Sequence, residues 1–84
     1  MELFSLILDY AGGTYFSQVH AEDPISAVVA WADAQGFDAP LNAVAAISNE
    51  HPLEVTALKG MTSAWCCTAA GPESLVLLNI VKTA

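Results

Sequence analysis

The chain contains no arginine, and Lys59 and Lys82 are its only basic side chains, set against 9 acidic ones in 84 residues. A surface so poor in cations lacks the usual grip on phosphates, which takes several Lys or Arg side chains. Neither nucleic acid nor an anionic membrane is therefore an expected partner. The net charge of −7 suits a basic protein partner and equally serves plain solubility. Long apolar runs are missing too. Leu3–Leu8 is broken by Ser5 and Leu75–Val81 by Asn79, and both fall far short of the roughly 20 residues of a membrane span. The start, Met1-Glu2, lacks the positive stretch of a secretory signal. The expectation is a cytoplasmic protein.

Cysteine is sparse, and Cys66 and Cys67 are adjacent rather than spaced like the framework of a secreted scaffold. In a strand their side chains point to opposite faces, one inward and one outward, which suits two free structural thiols. No C-x-x-C or H-x-x-x-H spacing links them to His20 or His51, so the sequence implies no metal site and no cofactor. A nucleophilic Cys–His pair would have to come from these same four residues. Nothing in the spacing unites them, and no neighbouring cation lowers a thiol pKa. Phosphate-binding glycine motifs are absent, and Gly12-Gly13 is accounted for as a turn. Asp23 is better explained as a helix cap than as half of a carboxylate pair with Glu22, and Asp9 as a turn residue. The sequence thus offers no catalytic set and leans away from an enzyme.

Apolar residues are plentiful, at 55 % hydrophobic against 13 % charged. That excludes disorder, and the length accommodates one domain. A domain of this size buries only about 60–65 % of the surface its unfolded chain exposes. The excess therefore points to a homodimer or a protein partner, although many of these residues are small alanines that pack anywhere.

Period-2 patterning marks the strands. In Leu3–Tyr10, Phe4, Leu6, Leu8 and Tyr10 share one face. After Ala11-Gly12-Gly13, Thr14–His20 continues as a second strand, giving a β-hairpin with Tyr15 and Val19 on one face and Phe16 on the other. Asp23-Pro24 opens a helix, Asp23 as N-cap and Pro24 at its first position. Ile25, Val28, Val29 and Ala32 form the expected buried stripe, with the helix running to about Gln35 and Gly36 as its C′ stop. Trp31 falls off the centre of that stripe and is a candidate contact residue. A second short helix through Leu41, Val44, Ala45 and Ser48, capped from Asp38-Ala39-Pro40, is slightly favoured over a strand at Val44–Ser48. Leu53–Lys59, Thr62–Ala69 and Ser74–Lys82 read as strands, the last two forming a hairpin around Ala70-Gly71-Pro72-Glu73. The fold class is α+β: an antiparallel sheet of four to five strands in β-β-α-(α)-β-β-β order, with helix packed on one face. The last strand is apolar on both sides. Val76, Leu78 and Ile80, or else Leu75, Leu77 and Val81, are therefore expected on a face covered by a second copy. The first set joins Trp31 as the candidate interaction residues.

The opening order of strand, Gly12-Gly13, strand, and Asp23-Pro24 helix loosely resembles the β-β-α opening of HicB-type antitoxins over residues 3–35. Val19-His20-Ala21-Glu22 stands where that family has its Pro- and Gly-Cys-containing segment, and no functional residue carries over. The leading functional expectation is a non-enzymatic interaction module that forms a homodimer. The alternatives are a small enzyme or ligand-binding domain with a pocket at a dimer seam, and an antitoxin- or immunity-like neutraliser of a basic partner.

Overall fold

Alternating apolar residues commit the N-terminal quarter to a hairpin, and a computed structural model, describing residues 1–50 and 52–84, shows its form. Strands β1 (Glu2–Tyr10) and β2 (Gly13–Ala21) pair from Glu2–Ala21 to Tyr10–Gly13. Ala11 and Gly12 turn the chain with φ of 50° and 84°. Positive φ at both positions defines the primed turn whose twist matches a hairpin. The Ala11 N–H donates to Ser74 Oγ at 3.1 Å, tying this turn to the far end of the chain. Helices α1 (Pro24–Asp33) and α2 (Leu41–Ser48) follow, then strands β3 (Thr56–Ala57), β4 (Ala64–Ala70) and β5 (Leu75–Lys82). The strands form one antiparallel sheet in the order β2-β1-β5-β4-β3. The expected α+β architecture is therefore present, with β3 only two residues long where the alternation of Leu53–Lys59 is weak.

The two faces of the sheet differ sharply. One carries Phe4, Leu6, Leu8 and Tyr10 from β1, Val76, Leu78 and Ile80 from β5, and Cys67 and Ala69 from β4, all buried. On it α1 packs over β2, and α2 over β4 and β5. Ala27 and Ala43, both fully buried, bring the helix backbones close to the strands. This layering corrects the interaction candidates. Val76, Leu78 and Ile80 are 0 % exposed and Trp31 is 1 % exposed, all within the chain's own core. β5 is apolar on both sides because it is the middle strand, flanked by β1 and β4. Nor does the apolar composition demand a partner. A folded monomer of this mass should expose about 4,800 Å², and the chain exposes 4830 Å².

Helix α1 starts as its sequence dictates. Asp23 Oδ1 accepts the Ser26 N–H at 2.7 Å, and Pro24 occupies the first turn, where it forfeits no hydrogen bond. The bond from Ser26 holds the Asp23 carboxyl below its ordinary 3.8. A lowered folded pKa means that the cap contributes at neutral pH and fades as pH falls below that value. The buried stripe is rotated from the expected one. Ala27, Val28 and Trp31 are buried, while Ile25 and Val29 are exposed and Ala32 is half-buried. Every residue from Ile25 to Ala32 except Ser26 is apolar, so several stripes were available. The indole, with the most surface to hide, takes the centre.

The helix also ends early. Its C-cap is Ala34, and Gln35 occupies C′ with φ 55°. Gln35 N–H reaches Ala32 O at 2.9 Å and Gly36 N–H reaches Trp31 O at 2.8 Å, the paired bonds of a Schellman stop. Gly36 is displaced to C″ because packing needs it there: a Cβ would lie 2.6 Å from Val44 Cγ2. The next segment is the helix rather than the rival strand, and α2 buries Ala43, Val44 and Ile47. Leu41, Ala45 and Ser48 of its expected stripe are exposed. Pro40 occupies the N-cap with no side-chain bond, so Asp38 does not cap this helix.

Candidate functional site

Among the described residues, the histidine and the cysteines do not come together. His20 stands exposed on β2, the outermost strand on one side of the sheet. Cys66 lies on β4, with β1 and β5 between them. Three strand spacings, about 14 Å, separate those two strands, which rules out a Cys66–His20 pair. His51 lies outside the described residues. Cys67 faces the core, where burial, and secondarily its neighbour Cys66, pushes the thiol up to about 11. It stays protonated and inert at neutral pH. Neither cysteine is in a disulfide. Among the described residues, no three His, Cys, Asp or Glu side chains gather as a metal would require.

A polar depression of about 340 Å³ lies beside β4, lined by Glu50, Pro52, Glu54, Thr56, Cys66 and Thr68, with Cys67 behind. Both charges in that lining are carboxylates. Among the described residues it holds no cation to favour a thiolate or to stabilise an oxyanion. A second hollow of about 340 Å³ runs between the helices, floored by Val28, Val29, Ala32, Ile47 and Leu53 and bordered by Ile25. It accounts for the two exposed members of the expected α1 stripe. Asp33 and Glu50 stand at its margin.

The face of the sheet opposite the helices is mixed. Leu3, Ile7, Leu77 and Val81 are half-buried there, while Phe16 is 74 % and Leu75 62 % exposed. Between them the polar side chains satisfy one another. Gln18 Nε2 donates to Ser5 Oγ at 3.0 Å, Ser5 and Thr83 share a hydrogen bond of 2.6 Å, and Thr14 Oγ1 donates to Asp9 Oδ1 at 2.7 Å. Asp9 is thus a turn-side partner of Thr14, as its position suggested. An ion pair from Lys82 Nζ to Glu2 Oε1, at 3.2 Å, is well exposed and worth little. On the helix side of the sheet, Trp65, half-buried, rests on Phe4 with ring centroids 6.1 Å apart. Among the described residues, no helix is long and apolar enough to cross a membrane. No protein-family model, curated protein or solved structure matches this chain.

Patterning alone does not tell which face of β5 is buried, because alternation reveals two faces without saying which one the helices take. It also does not mark Phe16 as an exposed side chain of the sheet. A signal for it exists: it is the sole large apolar side chain on its face of β2, alongside Thr14, Gln18 and His20.

Proposed function

We propose that this chain is a non-enzymatic interaction domain that works as a homodimer in the cytoplasm. The observation that carries the reading is a contrast. Large apolar side chains, Phe16 and Leu75 foremost, stand in water on the sheet. His20 lies three strands from Cys66, Cys67 faces the core, and none of the described residues brings a cation to the polar depression. Two free thiols suit a reducing compartment. Copies carrying −7 each repel, so added salt should strengthen association by screening over about 10 Å at 0.1 M. Sedimentation velocity across a concentration series, at low and moderate salt, tests this. The expected result is a shift from 8.8 kDa towards twice that mass, favoured by salt. A single 8.8 kDa species at all concentrations overturns it.

The interhelical groove supports a second reading, a neutraliser of a basic partner. Its apolar floor and the carboxylates of Asp33 and Glu50 suit an apolar segment flanked by Lys or Arg. Val29→Lys would weaken capture of a cationic amphipathic peptide and leave self-association unchanged.

A further inference from the structure

The two edges of the sheet are unequal. At one, β3 covers β4 for only two residues, Thr56 and Ala57, with Glu54 and Lys59 close by. Shortness and flanking charge are the usual protections of an edge. At the other, β2 runs for nine residues, Gly13–Ala21, without a Lys, Arg, Asp, Glu or Pro. Among the described residues nothing pairs with its outer side.

The hairpin fixes which backbone groups point outward. A two-residue turn closes on a hydrogen-bonded pair, here Tyr10–Gly13. Bonded and non-bonded pairs then alternate along an antiparallel ladder. Gly13, Tyr15, Ser17, Val19 and Ala21 bond to β1, while Thr14, Phe16, Gln18 and His20 present their N–H and C=O groups to solvent. These four are also the residues of the open face, so Phe16 stands directly on the unpaired edge.

We infer that β2 pairs antiparallel with β2 of a second copy, about a two-fold axis at Ser17, joining the two sheets into one. This deepens the self-association proposed above and rests on it. The register sets Phe16 opposite Gln18 of the other copy, and Thr14 opposite His20, so that all outward groups of the four residues are paired. Slipping the strands by two residues leaves some of them unpaired, and slipping by one sets an outward residue against an inward one. The two Phe16 rings become diagonal neighbours across the axis, about 7–8 Å apart and within aromatic reach.

Charge permits the approach. β2 itself is uncharged, and in this register Glu22 and Asp23 fall opposite Gly12 and Ala11 rather than opposite each other. The helix layer leaves room as well. α1 lies over β2, and its flank away from the interhelical groove carries the small residues Ser26, Ala30 and Ala34 at i, i+4 and i+8. The closed two-fold uses up both β2 edges, so the assembly stops at two copies.

Sedimentation of two variants tests the pairing. Gln18→Pro removes an outward N–H and no ladder bond to β1, a position that edge strands accept. Phe16→Lys places a cation on the edge in place of an exposed ring and leaves the core packing intact. Both should weaken dimerisation at least tenfold, Gln18→Pro through the two donors lost per dimer, while circular dichroism stays as in the wild type. Should Gln18→Pro fail to fold, Phe16→Lys decides alone. If the wild type dimerises and folded variants dimerise equally well, the edge pairing is wrong and the self-association stands. If the wild type stays monomeric at all concentrations, both fall.

Discussion

On one face of the sheet Leu6, Leu8, Val76, Leu78 and Ile80 are wholly removed from water. On the other, built from the same strands, Leu3, Ile7, Leu77 and Val81 are half-buried and interleaved with Ser5, Asp9 and Asn79. The first face is completed by α1 and α2, and its residues stabilise the chain. On the second, Ser5, Thr83, Gln18, Asp9 and Thr14 are tied by hydrogen bonds among their own side chains, and the face can remain in water. A surplus of apolar residues therefore does not by itself call for a partner. What lacks completion is the rim of the open face, where Phe16 adjoins unpaired backbone.

The sharpest way to break this contrast uses neighbours on β5. Leu78→Ala opens a cavity beneath the helices and should cost roughly 2–5 kcal/mol in urea melts. Leu77→Ala, one residue away on the other face, should cost less than about 1 kcal/mol. Similar costs would mean that the open face is also covered in solution.

A smaller effect probes how the helix layer seats on its face. Gly36→Ala should destabilise by about 1–3 kcal/mol, because the new methyl meets Val44 at 2.6 Å at a residue held at φ 68°. Gln35→Gly should do the opposite, raising stability by about 1 kcal/mol, since C′ already has the left-handed backbone that glycine adopts freely. Thermal melts of the two variants, moving in opposite directions, would place the Schellman stop at Gln35.

The adjacent cysteines give the mildest test. At pH 8 iodoacetamide should modify Cys66 and spare Cys67 until the chain unfolds, because only Cys67 faces the core. The Cys67 thiol is raised in the folded state, so its share of stability is intact below 9.0 and is lost as pH climbs from there through about 11. Equal labelling of both thiols would contradict the assignment of the two faces.

Much of this architecture is legible in the sequence, and the failures share a cause. The first hairpin and β5 follow from period-2 alternation, and the start of α1 from Asp23-Pro24. The stripe of α1 is not legible because nearly every position is apolar, so the period chooses no face. Trp31 and Ile80 can be recognised as apolar but not as core, since that depends on which side of the sheet the helices take. The identity of the edge is hidden as well. β2 is outermost only because β5, some 60 residues later, takes the other side of β1, and local patterning carries no signal of that pairing.

Residue-resolved amide hydrogen exchange along β2, measured at high and low protein concentration, reads the pairing of the two edges directly. Edge-to-edge pairing requires that Thr14, Phe16, Gln18 and His20 be protected like Tyr15, Ser17 and Val19 when the chain is concentrated, and that these four alone lose protection on dilution. Rapid exchange of all four at every concentration, with the alternate residues protected throughout, would contradict it.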